Sequence, residues 1–367
     1  MGYYPQGAPE MGYLRHMVLW YGRQADSWSP ERARHYLAYE DESGKPLDWL
    51  FDSVLFTPAV APSGNHFAAD INVGTTMCGE GDFYAVPVSN PATKRDYDDL
   101  LDVYFAPGGW LESMDGSITE LKSALPAPQH KHNVVLLVPY PGIKQTHWGR
   151  LPGETRNLNF GVTGQSVQKA SEDRLAATVW FVDEALRRWN ESPRENINLL
   201  GFYWPFETVY RGWDVDDHWL LKHLRVHLKS VNAKLTWIPF YATYNVHLLD
   251  NYENYYFDLA FQQPNHMFYL DTPGIEGPAL NAKIRHAGWE MEYYLGNIGH
   301  HKVQEERHQR FRDYLNGGVE FGYMKESACA WFQDYNAIER MRLHDDPVER
   351  EFYHDIYHFI RGDYERK

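Results

Sequence analysis

Two stretches of this chain place carboxylates where packing alone would not. In "GWEMEYY" (288–294), Glu290 and Glu292 stand two residues apart, so on a strand they share one face. In "NINLLGFYWPFE" (196–207), an apolar run passes through Trp204, Pro205 and Phe206 and ends on Glu207. Two carboxylates flanking a sugar suit glycoside hydrolysis. One, kept protonated, donates to the leaving oxygen; the other, ionised, attacks or activates water. Environment separates the two roles, because an apolar pocket raises a carboxyl pKa while hydrogen bonds keep a carboxylate charged. Glu207, after its aromatic neighbours, is the expected general acid/base, and Glu292 the expected nucleophile of a retaining mechanism. Glu290 is expected to contact substrate or to orient Glu292. The competing expectation for a strand-end glutamate is a salt bridge, here to Arg23, Arg211 or Lys325.

These glutamates need a scaffold. Eight apolar runs lie at 16–22, 51–59, 133–141, 196–204, 233–241, 256–264, 288–294 and 327–333, with helical stretches between several of them. Near-continuous apolar strands suit a parallel sheet covered on both faces. Strand–helix alternation repeated eight times specifies the α/β class, a (β/α)8 TIM barrel, as a single domain over 1–367. An open doubly wound sheet is the alternative, but "WYGRQAD" (20–26) after the first strand lacks a dinucleotide-binding glycine fingerprint. Residues 60–130 read as an elaborated loop and helix insertion, and "PVEREFYHDIYHFIRG" (347–362) as a C-terminal covering helix. A helix over 171–189 carries the stripe Leu175, Val179, Val182 and Leu186 with Ser171 as N-cap. A second carries Leu221, Leu224 and Leu228, and a third, weaker one stops at Gly317-Gly318 as a C-cap.

In such a barrel the chemistry gathers at the C-terminal ends of the strands. Glu207 follows the fourth strand and Glu292 lies on the seventh, the strands on which retaining barrel glycosidases commonly place acid and nucleophile. Trp20, Tyr140, Trp204 and Tyr241 are expected to form sugar-stacking walls, and Gln263, Asn265 and Arg23 to hydrogen-bond to hydroxyls. An aromatic share of 16%, with 13 Trp and 26 Tyr, fits flat faces for a ring-shaped ligand.

The formal charge of −15, with no basic cluster, argues against a nucleic-acid partner. No apolar run is long enough to cross a membrane. Two cysteines, Cys78 and Cys329, are too few for a disulfide framework. The N-terminus lacks the order of a signal peptide, so the expected compartment is cytoplasmic, or extracellular or periplasmic if a leader has been removed. His223 and His227 lie one helical turn apart, but Leu224 stands where a zincin needs Glu; they read as a solvated helix face. No metal and no cofactor are expected. The expected partner is a carbohydrate substrate; oligomeric state is left open. Two alternatives stand beside hydrolysis: a non-catalytic carbohydrate-binding barrel, and a metal-dependent hydrolase using the loop histidines of 129–133 and 299–302.

The motifs "LLGFYWPFE" (199–207), "LTWIPFYA" (235–242), "FDLAFQQPNHMF" (257–268) and "GWEMEYY" (288–294), in that order, resemble the bacterial domain-of-unknown-function family 4855. The resemblance runs from about Val18 to Gln333. It implies a barrel related to glycoside hydrolases of polysaccharide-handling bacteria, and no particular substrate. It also implies Glu207 and Glu292 as the catalytic pair, with Gln262, Gln263 and Asn265 lining the sugar site. Pro205-Phe206 departs from the more polar stretch expected before the acid.

Overall fold

The computed structural model describes residues 2–22, 28–67, 90–241, 246–268, 274–294, 301–333 and 336–367. Strand β1 (His16–Trp20) is followed by helix α1 (Pro30–Leu37) and a small antiparallel hairpin, β2 (Ala38–Glu40) and β3 (Pro46–Trp49). The remaining strands are β4 (Ser53–Phe56), β5 (His132–Leu137), β6 (Ile197–Trp204), β7 (Lys234–Trp237), β8 (Leu259–Gln262), β9 (Gly288–Tyr293) and β10 (Cys329–Gln333). With β1 they close a parallel eight-stranded barrel in chain order, β10 pairing back onto β1. The fold is a (β/α)8 barrel. Each of the eight apolar runs read from the sequence holds one of its strands.

The register fixes which side chains face the axis. Met17 pairs with Ser53, Leu55 with Val135, Leu137 with Tyr203, and Tyr203 with Thr236. Thr236 pairs with Leu259, Phe261 with Gly288, Glu290 with Ala330, and Ala330 with Met17. Following this circuit puts Glu290 and Glu292 on the inner face. The alternate residues Trp20, Phe56, Trp204, Trp237, Trp289 and Trp331 face the helices. The tryptophans therefore build the layer between barrel and helices. Trp20, for example, lies edge-on to Trp28 and Trp110 at ring separations of 5.1 and 4.5 Å.

Helices α2 (Lys94–Phe105) and α3 (Trp110–Leu121) occupy the segment between β4 and β5. Thr93 and Asp96 form a capping box at the start of α2. Helix α4 (Val167–Glu191) starts a turn earlier than its sequence signal. Ser166, not Ser171, accepts the capping bond from the Lys169 N–H, and Ser171 is buried inside the helix. Helix α5 (Asp217–Ser230) buries Leu221, Leu224 and Leu228 as expected. The short α6 (Tyr252–Tyr255) and α7 (Glu276–Ile284) flank β8.

Helix α8 (His301–Glu320) runs through Gly317 and Gly318 instead of stopping there. These glycines serve close packing, not a cap. A Cβ on Gly318 would lie 2.2 Å from the Phe359 ring, and one on Gly317 would lie 2.7 Å from the Tyr323 hydroxyl. Short α9 (Tyr323–Glu326) and α10 (Ala337–Met341) flank β10, and α11 (Pro347–Arg361) ends on Gly362 in the left-handed conformation. Its Phe359 packs on Trp331 of β10. No described helix is long and apolar enough to cross a membrane.

Candidate active site

Glu292 is the most completely held of the three inward glutamates. It is fully buried beside Phe332, its register partner on β10. Its Oε1 accepts the Asn265 N–H at 3.3 Å and its Oε2 accepts the Tyr314 hydroxyl from α8. The Met267 N–H adds a third donor and also reaches the Tyr314 oxygen at 3.3 Å. The two backbone donors come from the turn after β8. Asn265 sits there at φ +62°, a left-handed conformation that Asn tolerates better than most residues. The turn is clamped to α8. The His266 and Asp313 side chains meet at 3.0 Å, and Arg310 donates to the His266 carbonyl at 2.6 Å.

Glu207 reaches the same space from the far side. After β6 the chain turns Phe206 outward against Tyr140, with ring centroids 5.2 Å apart, and Trp237 Nε1 donates to the Phe206 carbonyl at 3.0 Å. Glu207 then faces inward and is hydrogen-bonded by Gln263, whose Nε2 also donates to the Ile238 carbonyl at 2.9 Å. The departure at Pro205-Phe206 thus has a physical use: Phe206 is the outward anchor that aims the next residue at the axis.

Burial is the leading cause that raises all three carboxyls. It pushes Glu292 up to about 8, with Tyr314 and Asn265 pulling down and the Glu207 charge pushing up. Glu290 is raised as well, by burial and then by the charges of Glu292 and Glu207. Glu207 is raised by burial against the pull of Gln263. Among the described residues none of the three makes an ion pair; Arg211, one expected partner, holds Asp216 at 3.3 Å. Groups whose charges act on one another titrate together, so their protons belong to the set. Hydrogen bonding favours the charge on Glu292, with three donors against one for Glu207. Burial works the other way, since Glu292 is fully buried and Glu207 half-buried.

The Tyr314 bond has a measurable consequence. Tyr314→Phe removes a donor to a charged acceptor, an interaction of about 1.5–3 kcal/mol. The limb of the activity–pH profile that reports Glu292 ionisation should therefore move alkaline by roughly one to two units. An unmoved limb would mean that Tyr314 does not act on Glu292.

Of the expected site residues, the structure gathers Glu207, Glu290, Glu292, Gln263 and Asn265. Asn265 takes part through its backbone N–H. Three others are corrected by strand alternation, and two more by their contacts. Trp20 and Trp204 point into the helix layer. Gln262 points outward too, donating to the Pro278 carbonyl at 3.3 Å and accepting from Asn281 of α7. Tyr140 donates its hydroxyl to Asp217 at 3.0 Å, within a buried network where Arg174 meets Asp217 at 2.6 Å. Tyr241, half-buried, carries its hydroxyl toward Gly277 of α7. Arg23 lies outside the described residues.

The aromatics that do line the mouth are the neighbours in sequence. Tyr21 meets Phe332 at 5.4 Å, Phe332 meets Phe268 at 5.3 Å, and Phe268 meets Tyr294 at 5.0 Å; all four are half-buried. Tyr203 completes the lining from β6. Trp204 was the expected wall, but the register with β5 and β7 turns Tyr203 inward in its place, and nothing in the α8 sequence marks Tyr314.

Residues 16–358 match the model of a family described as a domain of unknown function (DUF4855). The chain belongs to that family. No curated protein matches it. Among solved structures, this DUF4855 chain is similar to a GH18 chitinase from Pseudoalteromonas aurantia, at 11% identity and TM-score 0.41, covering 93% of this chain and 99% of that one. It is also similar to a GH5-4 broad-specificity endoglucanase from an uncultured bacterium, at 8% identity and TM-score 0.43, covering 97% and 96%. A mutant tryptophan synthase α-subunit from Pyrococcus furiosus matches to the same degree, at 8% identity and TM-score 0.39, covering 98% and 99%.

His223 and His227 of this DUF4855 chain are occupied elsewhere, and His300 of the 299–302 loop lies outside the described residues. His227 meets Asp183 at 2.6 Å and His223 meets the Trp219 carbonyl at 2.7 Å. Among the described residues no group of three His, Cys, Asp or Glu is placed to hold a metal ion. A cleft of about 390 Å³ between α7 and α8, lined by Ile275, Asp313, Asn316, Glu320 and Arg366, includes none of the three glutamates.

Proposed function

We propose that the protein hydrolyses glycosidic bonds with retention, Glu292 attacking the anomeric carbon and Glu207 protonating the leaving oxygen. The observation that carries this reading is the convergence of half-buried Glu207 and fully buried Glu292 from the ends of β6 and β9, the charge of one acting on the other without a counter-charge among the described residues. Paired carboxylates in a shielded pocket can hold one proton between them, which is what a glycosidase needs at the start of its cycle. The half-buried Tyr21, Phe332, Phe268 and Tyr294 offer a sugar ring a stacking surface above the pair.

The test is a panel of aryl glycosides and polysaccharides, followed by 2-deoxy-2-fluoro glycosides of whichever sugar is turned over. The expected result is reducing-end release and a stable glycosyl adduct on the peptide containing Glu292, read by mass spectrometry. An adduct on another residue, or no turnover across the panel, overturns the reading.

A further inference from the structure

Hydrolysis needs two carboxylates, and this pocket holds three. Glu290 is 2% exposed, faces the axis one step below Glu292, and has no hydrogen-bond donor or cation against it among the described residues. An acid in that position is costly unless something arrives to partner it. Among the described residues no group of three metal-ligating side chains includes it. A second observation points to an incoming ligand. The Tyr203 side chain, 6% exposed and facing the same space, makes no hydrogen bond among the described residues, although it lies within the field of Glu207 and Glu290. Tyr21, directly after β1, packs edge-on to Phe332 at 5.4 Å and lies within the field of Glu290, Glu207 and Glu292. The pocket therefore carries acceptors in excess, two phenol oxygens and a third carboxylate, around the place where a sugar ring would sit.

We infer that Glu290, with the hydroxyls of Tyr203 and Tyr21, forms a subsite for a protonated amine on the sugar, so that the substrate is a polymer containing de-N-acetylated amino sugars. The inference rests on the glycosidase reading and narrows it. An ammonium group supplies three donors and a positive charge, matching one carboxylate and two phenol oxygens. Neutral sugars would leave Glu290 unpaired, and uronic acids would bring a further carboxylate into a pocket that already holds three acids. An N-acetyl group offers a carbonyl and a single N–H in place of the charge.

Binding is measured by calorimetry in Glu207→Gln, which leaves the oligomers intact. The probes are glucosamine and galactosamine oligomers, their N-acetylated forms, and glucose oligomers of equal length. An amino form should bind roughly ten- to a hundredfold tighter than its N-acetylated and neutral counterparts, the worth of one charge-assisted contact. Adding Glu290→Gln should bring the three within about twofold of one another. Free glucosamine against N-acetylglucosamine and glucose, by thermal shift on the unmodified protein, repeats the comparison without any substitution or choice of linkage. Equal or tighter binding of the uncharged forms, no binding by any, or a preference that survives Glu290→Gln overturns the inference. If the amine preference holds while Glu207→Gln still hydrolyses the oligomers, the subsite stands and the assignment of the acid falls.

Discussion

Glu292→Gln should lower kcat by roughly 10⁴-fold or more, with KM changed only a few-fold, because the amide can neither attack the anomeric carbon nor carry its developing charge. The same substitution has a stability signature. A carboxyl that titrates near 4.5 when unfolded and at about 8 when folded binds its proton more tightly in the native state. The stability it contributes is fully present below 4.5 and is lost as pH rises toward 8. Glutamine removes that titration, so the fall in melting temperature of the wild-type protein between pH 5 and 8 should become shallower in the variant. Loss of activity with an unchanged pH slope would place the effect in general misfolding, and activity within about tenfold of wild type would remove Glu292 from the mechanism.

The barrel was legible because its eight strands are apolar on both faces, a pattern that survives any error of a residue or two at their ends. The site was legible only where two signals coincided. In "GWEMEYY" the spacing of the acids and the apolar Met291 between them settled the face of β9 without knowledge of its neighbours. No such internal marker exists at the end of β6, where Tyr203 and Trp204 are both aromatic. Proximity to the strand end favoured Trp204, but inward orientation belongs to Tyr203, because the register from Leu137 to Thr236 runs through it. A slip of one residue exchanges the two faces, and the same slip misplaced Trp20 and Gln262. Tyr314 was beyond reach for a different reason. It joins the site through the packing of α8 against the turn after β8, and only tertiary structure brings Tyr314 and Glu292, 22 residues apart, together. The Gly317-Gly318 pair was read as a stop because glycine favours helix ends, yet here the close approach of Phe359 makes a missing side chain the stronger requirement.

Glu207→Gln should separate substrates by leaving group. Glycosides with poor leaving groups should lose about 10²–10⁴ in kcat/KM, the usual worth of a positioned proton donor, whereas a dinitrophenyl glycoside should stay within about tenfold because its phenolate leaves unprotonated. Its steady-state turnover should still slow, since water attacking the glycosyl-enzyme loses the base that Glu207 becomes in the second step. Azide needs no base and should restore turnover, releasing a glycosyl azide of retained configuration. This experiment also decides between two opposed influences in the pocket. Three hydrogen-bond donors favour a carboxylate at Glu292, while deeper burial favours a proton there. If donors dominate, leaving-group dependence and azide rescue appear in Glu207→Gln, and Glu292→Gln is inert to both. If burial dominates, the two variants exchange behaviour, and Glu292 is the acid that Tyr314 holds in place.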